Sequence, residues 1–66
     1  MRFCERFSLE LKASGMSQKE LALKLNVDPS NITNWKQGTN FPSLEMFYRL
    51  CQVLDVSADY LLGLVD

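Results

Sequence analysis

The sequence predicts an all-helical domain of five short helices. Three observations carry that expectation. Apolar residues recur at helical spacing, as in Phe3, Phe7 and Leu11. Residues that start and stop helices punctuate the chain regularly. No stretch alternates apolar and polar residues as a half-buried strand would.

The first helix is expected from about Arg2 to Ser14, with Phe3, Phe7 and Leu11 forming one apolar stripe and Gly15 as a left-handed stop. The second begins at Ser17. Ser17-Gln18-Lys19-Glu20 fits a capping box, and Met16 and Leu21 are placed to form a hydrophobic staple across it. Leu21, Ala22 and Leu25 follow helical spacing, and Asn26 is the expected stop, since Asn follows Gly in tolerance of the left-handed region. The third helix starts with Asp28 as cap and Pro29 at the first helical position, and Gly38 closes it. Val27 and Ile32 repeat the staple. The fourth follows Pro42-Ser43, with Leu44, Phe47, Leu50, Cys51 and Leu54 expected on one face. The fifth is short, follows Ser57, carries Tyr60, Leu61 and Leu62, and stops at Gly63.

Composition narrows the function classes. At 66 residues the chain is expected to be one domain over residues 1–66, near the lower limit for folding without staples. It is 47% hydrophobic and 23% charged, which argues against disorder. The two cysteines, Cys4 and Cys51, come without any histidine, so a normal zinc site is not expected. A disulfide between them is possible but not demanded. The N-terminus MRFCERFSLELK carries charges throughout and lacks an apolar signal core. No apolar run approaches the ~20 residues that a membrane span needs. The plain reading is a cytoplasmic protein with reduced thiols and no membrane partner. On that reading the glycosylation pattern Asn31-Ile32-Thr33 is incidental. Catalysis is not expected either. There is no histidine, no plausible nucleophile–base pair and no Gly-rich phosphate loop, and a buried catalytic pocket is hard to build at this length. No cofactor and no small-molecule ligand are implied. The chain ends soon after the fifth helix, so a separate effector domain is not expected.

Charge is unevenly spread. The net charge is −1, whereas nucleic-acid-binding domains are usually basic. From Lys12 to Thr39, however, Lys12, Lys19, Lys24 and Lys36 face only Glu20 and Asp28, a local balance of +2. From Ser43 to Asp66, Arg49 stands against Glu45, Asp55, Asp59 and Asp66, a balance of −3. The middle of the chain is the part suited to approach an anion.

The stretch DPSNITNWKQG, Asp28 to Gly38, carries the chemistry. On a helical wheel of about 100° per residue, Ile32 and Trp35 fall on one side. Ser30, Thr33, Asn34 and Gln37 fall together on the other, with Pro29 and Lys36 at one edge and Asn31 at the opposite edge. Ser, Thr and Asn disfavour helix interiors because they compete for backbone hydrogen bonds. A strip of them has an ordinary reading as a wet face and a sharper one as a reader of base edges in the DNA major groove. Asn can bond adenine in a bidentate way, and Ser and Thr can bond donors or acceptors or touch a thymine methyl. About three residues separate the second and third helices, the spacing of a helix-turn-helix, expected here over residues 17–37. Ala22 is small where two helices must cross closely, and Gln18 lies in the first helical turn, where free N–H groups and the helix dipole favour a phosphate. Its amide can grip that phosphate and brace the third helix together.

Met16-Ser17-Gln18-Lys19-Glu20-Leu21-Ala22, Leu25-Asn26-Val27-Asp28-Pro29-Ser30-Asn31-Ile32, Trp35-Lys36-Gln37-Gly38, Phe41-Pro42-Ser43-Leu44 and Asp59-Tyr60-Leu61-Leu62-Gly63 together resemble the Cro-like, XRE-type helix-turn-helix domain of phage repressors. The resemblance runs from about Phe3 to Gly63. It implies a compact five-helix, lambda-repressor-like fold in which the third helix lies in the major groove and the second crosses the backbone. It implies a bacterial or phage-encoded transcription regulator, a repressor occupying a double-stranded operator. Carried over by position, Ser30, Thr33 and Asn34 face bases with Pro29 close by. Gln18, Gln37 and Asn40 match phosphate-contacting positions, and Asn31 and Lys36 at the edges join them as candidates. Three departures are visible. Asn26 stands where the turn usually has Gly. Glu10 stands where the first helix usually has an apolar residue, with Leu9 and Leu11 beside it to adjust the register. The chain is acidic, and its base-facing strip has no Arg.

With few phosphate-neutralising groups a single domain is expected to bind weakly, and two copies on a two-fold site would multiply the contacts. A homodimer on DNA is therefore expected. The apolar C-terminal segment offers Tyr60, Leu61, Leu64 and Val65 as its seam, and has the equal reading that it closes the monomer's own core. Two alternatives stay open for function. One is a protein-interaction module on the same scaffold, and the other is an antitoxin-type autoregulator.

Overall fold

A computed structural model describes all of Met1–Asp66. It contains five α-helices and no strand: α1 (Phe3–Ser14), α2 (Gln18–Leu25), α3 (Pro29–Gln37), α4 (Leu44–Leu54) and α5 (Ala58–Leu62). Start signals act where local chemistry places them. Ser17 accepts the Glu20 N–H at 3.0 Å, and Glu20 Oε1 accepts the Ser17 N–H at 3.2 Å, completing the capping box. Ser43 and Ser57 cap α4 and α5 by accepting the N–H of Met46 and of Tyr60. Only α1 lacks a side-chain cap: its N-cap is Arg2, so the helix begins at Phe3, one residue later than expected. Every helix ends in a left-handed residue, namely Gly15, Asn26, Gly38, Asp55 and Gly63. Asp55 carries no Gly-like signal, but Asp is among the few residues that visit this region readily.

Phe3, Phe7 and Leu11 from α1, Leu21, Ala22 and Leu25 from α2, Ile32 and Trp35 from α3, Leu50 and Leu54 from α4 and Leu61 from α5 make one core. α3 packs on α1 and α2, while α5 packs on α1 and α4. Aromatic rings hold the first contact. The Phe3 and Phe7 rings stack at 5.3 Å between centroids, and Trp35 meets Phe7 edge-on at 6.0 Å. Met16 and Val27, the residues before the caps of α2 and α3, pack half-buried against this core, as staples should.

Three expectations are corrected. Leu44 is 84% exposed, because it opens α4 before that helix reaches the core; Leu50 and Leu54 are buried as expected. Leu9 is 61% exposed and does not shift the register of α1, since Leu11 already lies in the buried stripe. Leu61 is fully buried, so it closes the monomer and is not available to a seam. Leu64 and Val65 remain exposed, and Tyr60 is half-buried. Cys4 and Cys51 are free thiols, and burial raises the Cys51 thiol above its usual value. No helix is long and apolar enough to cross a membrane.

Candidate nucleic-acid interface

α2 and α3 are joined by Asn26, Val27 and Asp28. Asn26 adopts φ 58° and ψ 46°, which reverses the chain without a glycine. Its N–H reaches the carbonyls of Ala22 and Leu23, and Val27 N–H bonds the Ala22 carbonyl at 3.0 Å, so the orphan carbonyls of α2 are satisfied. The Asp28 carboxylate then accepts the Ser30 N–H at 2.9 Å and starts α3, with Pro29 in the first turn. That bond, with a second from the Ser30 side chain, holds the Asp28 carboxyl below the usual carboxylate range.

α3 is anchored by Ile32, fully buried, and Trp35, 4% exposed. This fixes which face turns outward. Pro29, Ser30, Lys36 and Gln37 are exposed, and Asn31, Thr33 and Asn34 are half-buried. Thr33 is covered because Gln18 lies across it. Gln18 Nε2 donates to Thr33 Oγ1 at 2.9 Å, and Lys36 Nζ donates to Gln18 Oε1 at 3.1 Å. The start of α2 is thus tied to the middle and end of α3 by a continuous polar chain. After this use Gln18 keeps one N–H and Lys36 keeps two, enough for phosphate oxygens. Asn31 and Asn40 line a shallow concavity beside Trp35 and Phe41, where α3 gives way to the segment leading to α4. Gln37 and Asn40 are exposed at the end of that helix and just beyond it.

The structure brings the candidates together at two centres, the Gln18–Thr33–Lys36 chain and the Asn31–Asn40 concavity. Tyr60, Leu64 and Val65 do not join them; they belong to α5 and the residues after it, which pack on α1 and α4. The sequence did not single out Arg6. Arg6 is 9% exposed, and its guanidinium donates to the Tyr60 carbonyl at 2.7 Å and to the Val65 carbonyl and lies 4.6 Å over the Tyr60 ring. The available signal was its position three residues after Phe3 and one before Phe7, at the margin of the apolar stripe.

Comparison with known proteins identifies the family. The family model described as Helix-turn-helix matches residues 9–61. Among curated proteins, the HTH-type transcriptional regulator ImmR of Bacillus subtilis (strain 168) is 33% identical over 96% of this chain and 50% of its own length. The uncharacterized HTH-type transcriptional regulator YobD of the same strain is 31% identical over 97% of this chain and 57% of its own. The 26 kDa repressor protein of Escherichia phage HK022 is 32% identical over 97% of this chain but 29% of its own. The chain thus spans about half the length of the two bacterial relatives and less of the phage one. No solved structure gave a significant match. These relatives are named as transcriptional regulators and a repressor, not as enzymes, and this chain belongs to the XRE-type helix-turn-helix family.

Proposed function

We propose that residues 1–66 act as a single sequence-specific DNA-binding domain of a transcription regulator, a repressor that works in the cytoplasm by occupying a two-fold operator as a homodimer. α3 enters the major groove, where Ser30, Thr33 and Asn34 read base edges with Pro29 beside them. Gln18, Asn31, Lys36, Gln37 and Asn40 hold phosphates on either side. One observation carries this reading. α3 buries Ile32 and Trp35 and turns outward a row of short, neutral hydrogen-bonding side chains that a merely wetted helix has no reason to use. The names of the relatives, two regulators and a repressor, support the same direction.

Selection of bound sites from random DNA supplies the motif, and the Asn34→Ala variant tests it. That substitution is expected to cost about 1–3 kcal/mol on the selected site and to relax preference at one base pair. Unchanged affinity would remove Asn34 from the base-reading set. Failure of the unsubstituted domain to bind any duplex at low salt would favour instead a protein-interaction module, the reading that the net charge of −1 invites.

A further inference from the structure

The polar chain between α2 and α3 has a direction. The Lys36 ammonium can only donate, so the end of the Gln18 amide that faces it at 3.1 Å is the oxygen. The amide nitrogen is thereby turned to Thr33, whose Oγ1 accepts from it at 2.9 Å. A hydroxyl that accepts here still has its own hydrogen to give. Ser8 and Ser14, hydroxyls within α1, give that hydrogen to the carbonyls of Cys4 and Leu11 of their own helix. Thr33 makes no such bond back to α3, and its hydrogen has no acceptor within the protein. Its oxygen is thus engaged as an acceptor inside the protein, while its hydrogen stays free for a group outside it.

We propose that Lys36 and Gln18 are positioning residues that set the hydrogen-bonding polarity of Thr33, making it a donor toward DNA. The base opposite Thr33 is then one that offers an acceptor in the major groove: a purine N7, the guanine O6 or the thymine O4. The amino group of cytosine N4, itself a donor, leaves that hydrogen without an acceptor and is disfavoured. This rests on the proposed binding mode of α3 and adds to it the chemical class of base read at one position and the residues that determine it.

The test is site selection from random DNA by four forms of the chain. Thr33→Val keeps the methyl and removes the hydroxyl, so the base pair whose preference relaxes is the one Thr33 faces. There the unsubstituted domain disfavours cytosine by roughly tenfold, the worth of about one hydrogen bond. Gln18→Glu replaces the amide by a group that only accepts. It still receives Lys36 but now takes the Thr33 hydrogen, so Thr33 presents lone pairs and the disfavour of cytosine is lost or reversed. Lys36→Met frees the amide to turn either way and weakens the same preference. Circular dichroism melts confirm that each variant is folded. If Gln18→Glu and Lys36→Met weaken binding equally to every sequence and leave that position unchanged, the chain is only a brace and the proposal is overturned. If Thr33→Val leaves the whole motif intact, Thr33 reads nothing and the proposal fails while DNA binding stands. If the unsubstituted domain selects no motif at all, the binding mode itself is wrong and this inference falls with it.

Discussion

Arg6 shows how a single residue can organise a terminus. Arg6 is the only buried charged residue, at 9% exposure, and its guanidinium's partners are the carbonyls of Tyr60 and Val65. It also covers the Tyr60 ring, a cation–π arrangement that shields it further. Leu64 N–H is held by Asp59 at 2.9 Å, so the segment after α5 is fixed from two sides. Replacing Arg6 by Met keeps a similar apolar stem and removes the donors. Stability in urea titration is expected to fall by about 1–3 kcal/mol, and the Leu64 amide should exchange faster with solvent. Equal stability, with exchange unchanged, would mean that the guanidinium adds nothing beyond its stem. Little of this was legible in advance. The stripe of Phe3, Phe7 and Leu11 could be read from spacing alone, but the acceptors of Arg6 lie more than fifty residues away in the chain. The same limit applies to Leu61, whose apolar character fits a seam or a core equally well until α5 is docked on α1 and α4. Gln18 was assigned correctly to the α2 start, yet its bond to Thr33 depends on the crossing of two helices and no local pattern announces it.

At the scale of the element, the helix boundaries were largely legible because capping is chemistry between neighbours. Ser17, Asp28, Ser43 and Ser57 each accept an N–H within three residues, and the capping box at Ser17 and Glu20 needs nothing from the rest of the fold. What went wrong lay at helix ends that cap chemistry does not describe. Leu44 is in phase with the buried face of α4 but precedes the point where that face meets the core. Asp28 offers a direct test of one cap. Its carboxyl titrates below its ordinary value of 3.8, chiefly because the charged form accepts the Ser30 N–H. A depressed folded value means that the group stabilises the fold above the unfolded value and loses that contribution as pH falls through the lower, folded one. Thermal stability followed down through pH 4 and below should therefore drop, and the Asp28→Asn variant should drop less steeply. Asn also caps well but does not titrate. Parallel curves for the two proteins would show that the cap does not depend on the charge. The carboxylate is fully exposed, so the difference is expected to be small and to shrink in salt.

For the molecule as a whole, the fold could be read from the sequence while its electrostatics set a problem that the proposed pairing of two copies would solve. The surface around α2 and α3 carries Lys19, Lys24 and Lys36, all exposed, whereas residues from Ser43 onward carry a balance of −3. If Lys19, Lys24 and Lys36 each neutralise one phosphate, a domain gives a slope near −3 in log affinity against log salt, shallow for a specific DNA binder. Two domains on one duplex would double it. The domain measures 29 Å in its longest direction, against a half-site repeat of about 34–36 Å. On the proposed two-fold reading, two copies in successive turns of the groove would meet through a narrow contact, for which the exposed Leu64 and Val65 are the candidates. A seam that thin does not hold a dimer at low concentration without DNA, but it does favour two copies whose spacing the duplex has already fixed. The chain alone should sediment as a monomer at micromolar concentration. On a selected two-fold site it should bind cooperatively, with a salt slope near −6. Inserting roughly five base pairs, half a helical turn, between the half-sites turns the second copy to the opposite face of the duplex. Affinity and slope should then both return to the values of an isolated half-site. If the insertion changes neither, the two-fold pairing is wrong, and the shallow charge of α2 and α3 has to be offset by a partner other than a second copy.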